Sequence, residues 1–95
     1  MLTSRIPNPI IMTLEILTPD KTIYQGEVTS VTVPGPLGSF EVLKDHAPII
    51  STLEDGKVII RTGNKSEEIL FITGGVVEVL DNKIIVLAEG AGENK

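Results

Sequence analysis

The chain has no cysteine, no tryptophan, one histidine and only three aromatic rings among 95 residues. Without cysteine there is no disulfide framework, no thiolate nucleophile and no thiolate metal site. With His46 as its single imidazole, a metal centre would need a set of ligands dominated by carboxylates, and none is expected. Basic residues are scarce too: 8 Lys and Arg stand against 13 Asp and Glu, a net charge of −5. The eight are scattered, so the chain lacks the clustered cations that displace counterions from nucleic acid or hold an anionic membrane surface. No apolar run approaches the roughly 18 residues of a membrane-spanning helix. Met1–Met12 carries one basic residue and no signal-peptide core. The chain reads as soluble and cytosolic, and its expected partners are proteins.

What is present is β-forming. Hydrophobic residues make up 41%, and with so few aromatics the core must be built from Val, Ile and Leu. Branched side chains pack well on a pleated surface and favour strands. Thr13–Thr18 alternates as a first strand, and Pro19-Asp20-Lys21 reads as a turn. A second extended stretch, Ile23–Val33, is punctuated at Gly26. Ser39–Val42 and Ile49–Leu53 follow, and Glu54-Asp55-Gly56 breaks the pattern. Lys57–Arg61 and Glu67–Ile72 flank a hairpin loop over 62–66. Gly74-Gly75 predicts a bulge or sharp bend. Val76–Leu80 and Lys83–Ala88 are joined by Asp81-Asn82, a two-residue loop suited to positive backbone angles.

Short strands at regular spacing predict an all-β domain, a two-sheet β-sandwich of about ten short strands, with no helical hairpin. Pro7 and Pro9 make residues 1–11 a poor strand or helix, so they are expected to form a flexible N-terminal extension. The sandwich is expected over residues 12–89. The tail 90–95 is small and polar and is expected to fray.

The segment Val33–Pro48 holds three of the six prolines and His46. Gly35 and Gly38 open angles closed to other residues, while Pro34, Pro36 and Pro48 fix theirs. A shaped loop on a β scaffold points to function. Enzymatic readings of it are weak. Asp45 is next to His46, but neighbours on an extended chain point apart, so no triad follows. Glu54-Asp55 and Glu67-Glu68 sit by turns or strand edges, where charge keeps edges soluble. Gly35-Pro36-Leu37-Gly38 precedes no helix and cannot cradle a phosphate as nucleotide loops do. From the residues alone, a free-standing β-sandwich protein-interaction module is the reading that remains.

Leu14-Glu-Ile-Leu-Thr-Pro19, Gly26, Val31-Thr-Val-Pro-Gly-Pro-Leu-Gly-Ser-Phe40, His46-Ala-Pro-Ile-Ile-Ser51, Thr73-Gly-Gly-Val-Val-Glu-Val79 and Val86-Leu-Ala88 occur in this order. Together they resemble the N-terminal domain of the rotary ATP synthase epsilon subunit, whose mitochondrial counterpart is called delta. The resemblance covers about Thr13 to Ala88. It implies a two-sheet sandwich in the central stalk, a non-catalytic rotor part on the cytoplasmic face of the bacterial inner membrane. Such a part fixes the gamma subunit to the c-ring and couples ion transport to ATP synthesis. It implies c-ring contact by Gly38, Ser39, Phe40 and Glu41, and gamma contact by Thr18, His46 and Ser51. Many relatives carry an acidic residue where Ser39 stands and glycine where Glu41 stands. A carboxylate moved by two positions along a strand stays on the same face. Family members usually continue into a two-helix domain that inhibits hydrolysis and in some bacteria binds ATP. The sequence to Lys95 contains no such helices, so coupling without helix-mediated inhibition, cofactor or ATP binding is expected.

Overall fold

The computed structural model describes residues 12–63 and 66–93, and every regular element among them is a strand. The eight strands are β1 (Met12–Leu17), β2 (Thr22–Val28), β3 (Ser30–Gly35), β4 (Gly38–Val42), β5 (Ile49–Leu53), β6 (Gly56–Arg61), β7 (Glu67–Leu80) and β8 (Lys83–Glu93). The expected extension over 1–11 lies outside the described residues.

The pairing runs β2-β1-β8-β7-β6-β3-β4, with β5 added to β7. All pairs are antiparallel except β1 with β8. Two strands are long enough to serve twice. The 75–79 part of β7 pairs with β5, whereas its 67–72 part pairs with β6. Strand β8 follows it, pairing with β1 over 83–87 and running beside β7 to Glu93. The sheet therefore folds into two layers. The first is β2-β1-β8-β7-β5, and the second is the far ends of β8 and β7 with β6-β3-β4. This accounts for the strand count: glycines divide the sequence pattern into about ten expected pieces, where the described residues make eight strands, two of them shared between layers.

Gly74 and Gly75 make the crossing possible. Their φ angles are +62° and +139°, and a Cβ on Gly75 would lie 2.3 Å from the carbonyl oxygen of Leu87. Only glycine fits there. The buried side of β7 changes phase across this point, from Leu70 and Ile72 to Val77 and Val79. The expected bend is there.

The layers enclose one core. Leu14, Ile16, Val31, Val33, Val42, Val58, Ile60, Val77, Val79, Ile84 and Val86 are all essentially inaccessible to solvent. Burying each such side chain is worth about 1.5–3 kcal/mol, which is how a core with so few aromatics suffices.

Two local expectations change. Gly26 does not interrupt β2; it pairs opposite Leu14, and the Tyr24 ring lies beside it. Strand β8 runs past the expected end of the sandwich at 89, since Gly90 to Glu93 pair with Thr73 to Leu70. Backbone pairing needs no large side chain, and small ones help: a Cβ on Gly90 would meet Thr73 Oγ1 at 2.9 Å. Residues 94–95 lie outside the described residues.

Candidate protein-docking site

The outer surface of the first layer carries an apolar patch where an outer surface is usually polar. Leu17 on β1 stands beside Leu87 on β8, Leu87 beside Val76 on β7, and Val76 beside Thr52 on β5. The next row brings Ile85, Glu78 and Ile50 together. Leu87 is 52% exposed and Ile50 76% exposed, with Leu80 and Val76 also open to solvent. The cause is visible in the chain: Val76-Val77 and Ile84-Ile85-Val86-Leu87 are apolar on both sides of the pleat, a composition suited to a strand covered on both faces. A shallow depression of about 630 Å³ lies on this surface, lined by Leu17, Thr18, Thr52, Val76 and Leu87. A contiguous apolar patch on a small domain marks a surface that meets another protein.

The residues expected to contact gamma are distributed around this layer rather than gathered. Thr18 borders the depression at the end of β1, and its backbone N–H donates to the Lys21 carbonyl at 2.9 Å in the expected turn. His46 lies in the connection into β5, at the opposite end of the layer. Its own N–H donates to Leu43 O at 3.1 Å, and its ring Nδ1 stands 2.8 Å from Ala47 O. The ring's contact is with this carbonyl rather than with a carboxylate of the described residues, so it shows no triad geometry there. Ser51 pairs opposite the buried Val77 and is itself half-buried, on the side of β5 that carries Leu53. Its hydroxyl donates to Thr52 O at 3.0 Å. Ser51 therefore faces the interior margin of the edge strand, while its neighbours Ile50 and Thr52 face outward.

The residues expected to contact the c-ring form β4 and the tip before it. The tip is a tight hairpin, with Gly35 opposite Gly38 and a turn at Pro36-Leu37. Gly38 has φ +122°, and a Cβ on Gly35 would strike the Phe40 ring at 2.8 Å. Phe40 thus packs against Gly35 and the core rather than pointing outward. Ser39 and Glu41 are exposed and share the opposite side of β4, as the period of two requires. Glu41 is paired with Arg61 at 3.4 Å, and Arg61 also meets Glu67 at 3.6 Å. The residue that stands furthest out is Leu37, fully exposed at the tip. Its position between Pro36 and Gly38 is the sequence signal for it.

The described residues contain no group of three or more His, Asp or Glu placed to hold a metal ion. No helix among them is long and apolar enough to cross a membrane.

Comparison with known proteins agrees with this architecture. Residues 11–94 match the ATP synthase, Delta/Epsilon chain, beta-sandwich domain family. The chain is 53% identical over 78 residues to the ATP synthase epsilon chain of Sulfurimonas denitrificans, covering 82% of this chain and 60% of that one. It is 47% identical over 77 residues to the epsilon chain of Chlorobaculum tepidum, covering 81% and 88% respectively. Among solved structures, one chain of the Euglena gracilis mitochondrial ATP synthase superposes with a TM-score of 0.84 at 22% identity. That match covers 90% of this chain and 54% of the other. A chain from the central stalk and c-ring of the Tetrahymena thermophila mitochondrial ATP synthase gives 0.73 at 22% identity, covering 86% and 66%. The chain thus spans about three-fifths of its Sulfurimonas relative and most of its Chlorobaculum one. By the match along residues 11–94 and by these identities, it belongs to the ATP synthase delta/epsilon chain family, as its β-sandwich domain.

Proposed function

We propose that this chain is a non-catalytic rotor subunit that fixes the gamma subunit to the c-ring of a rotary ATP synthase. It sits peripherally at the cytoplasmic face of the bacterial inner membrane and couples ion transport to ATP synthesis. The observation that carries this reading is the open apolar surface of the first layer, on a domain of the delta/epsilon family. A torque-bearing part must resist shear. Here β7 and β8 run unbroken through both layers, so load entering one passes to the other along covalent chain.

In this reading gamma covers Leu17, Ile50, Val76 and Leu87, with Thr18 at one margin and His46 at the other. Ser51 contributes at the β5 edge. The ring meets the β3–β4 tip through Leu37, Gly38 and Ser39. Phe40 braces the tip from inside, and Glu41 is engaged by Arg61. The neighbouring solved chains support the assignment, since they come from ATP synthase structures that include the central stalk or the c-ring.

The test is co-purification of the tagged chain with the gamma subunit of its own organism. A stoichiometric complex is expected, weakened but not abolished by His46→Ala with an unchanged melting temperature. A chain that folds yet never associates with gamma would remove the central claim and leave an interaction module with another partner.

A further inference from the structure

The described residues contain three non-glycine positions with positive φ: Asp45 (63°), Asp81 (52°) and Asn82 (64°). All three meet at one corner. Asp81 and Asn82 form the turn between β7 and β8, where two consecutive positive angles give the right twist for a two-residue hairpin. Asp45 belongs to the exposed connection between β4 and β5, 37 residues away in sequence. Its backbone N–H donates to Asn82 Oδ1 at 2.7 Å, and the Asn82 side-chain amide donates to Asp45 Oδ1 at 3.3 Å. The pair is reciprocal. The Asn82 carbonyl also accepts the Thr13 N–H at 3.0 Å, which ties the turn to the start of β1.

The hairpin does not need this side chain. Asp-Gly makes the same turn at least as well, since glycine supplies the positive φ without strain. What the Asn82 amide does beyond the hairpin is hold the connection that carries His46. That connection has little else to fix it: Leu43, Lys44, Asp45, Ala47 and Pro48 are all exposed. Its internal restraints are local, the turn bond from His46 N–H to Leu43 O and the contact of the His46 ring Nδ1 with Ala47 O. A left-handed residue at Asp45 directly before His46 sets the direction in which the chain presents the imidazole.

We infer that Asn82 is a positioning residue for partner docking: its clasp on Asp45 locks the 43–48 connection so that His46 is preformed at the margin of the apolar face. This rests on the reading that gamma docks on that face. A preformed margin spares the ordering cost that a loose loop would add on binding.

The experiment measures affinity for the purified gamma subunit by titration calorimetry, for wild type, His46→Ala, Asn82→Gly, Asp45→Gly and the exchange D45N/N82D. Both glycine variants keep the positive φ and hence the fold, and melting curves check this. Asn82→Gly is expected to bind about fivefold to tenfold more weakly, the worth of one or two exposed hydrogen bonds. Amides 44–46 should exchange faster with solvent in that variant. The exchange D45N/N82D, which keeps one carboxylate and one amide facing each other, should recover most of the affinity. Wild-type affinity in Asn82→Gly, or no recovery by the exchange, would overturn the inference while leaving gamma docking intact. If wild type itself does not bind gamma, the functional reading fails and the inference goes with it.

Discussion

The two outer surfaces of this sandwich are built on the same period of two and differ in what they ask of their surroundings. On the second layer Lys57, Arg61, Glu41 and Glu67 alternate with half-buried Ile59 and Ile69, and Arg61 joins two carboxylates. Such exposed pairs add little stability, about 0–1 kcal/mol each, but they make a surface content with water. On the first layer Leu17, Ile50, Val76, Ile85 and Leu87 gather into an apolar patch, with Glu78 and Thr52 among them and Glu15 and Lys83 towards its margin. The apolar side chains of that patch offer water no hydrogen bonds. The difference separates a face that ends the molecule from a face that awaits another one.

The comparison holds only while the layers stay joined, and the joint is the β7–β8 bend. Gly75→Ala is expected to have the largest effect of any single change considered, on the order of 3 kcal/mol or more of lost stability. The added methyl would sit against the Leu87 carbonyl at a φ of +139°. Neither the strand pairing nor the angle can yield separately. Denaturant unfolding would show it as a lower midpoint; an unchanged midpoint would mean that the two layers do not depend on this crossing.

Next in size is a matched pair of substitutions, one on each surface. Leu87→Glu places a carboxylate at the centre of the apolar row, and Phe71→Glu places one on the second layer at a residue also partly exposed. Leu87→Glu should weaken gamma binding by about a hundredfold, since central apolar contacts dominate interface energy. Phe71→Glu should leave binding within about twofold, because rim or non-interface positions carry little of it. Equal losses from both would erase the distinction between the surfaces.

Much of this was legible in the chain. Alternation located the strands, Gly74-Gly75 marked the bend, and Asp81-Asn82 marked a turn whose positive angles are observed. The remainder depended on pairing that is distant in sequence. Val76-Val77 and Ile84 to Leu87 read the same whether a strand is buried on both sides or waits for a partner. Burial alone distinguishes the outward Leu87 from the buried Val86. The inward placement of Phe40 depends on the closing of β3 on β4, which sets its ring on Gly35. The side of β5 that Ser51 takes is set by the pairing of β5 with β7. The extent of β8 was hidden for the same reason, since the small side chains of Gly90 to Gly92 give no alternation and their strand is made by backbone pairing.

The smallest effect concerns the edge where the layers approach each other. Tyr24 on β2 belongs to the first layer and Glu68 on β7 to the second. Partial burial raises the Tyr24 phenol above its ordinary pKa of 10.0, and the negative charge of Glu68 raises it further. An acid whose folded pKa is raised loses its proton first in the unfolded chain. Its contribution to stability is therefore complete below the unfolded value and lost as pH climbs through the folded one. Wild type should lose stability above pH 10 more steeply than Tyr24→Phe, with the two indistinguishable at neutral pH except for the hydroxyl itself. Glu68→Gln should lie between them, because it removes the second cause and leaves the first. Parallel alkaline profiles for all three would mean that Tyr24 does not feel the opposite layer, and that the layers communicate only through their shared strands.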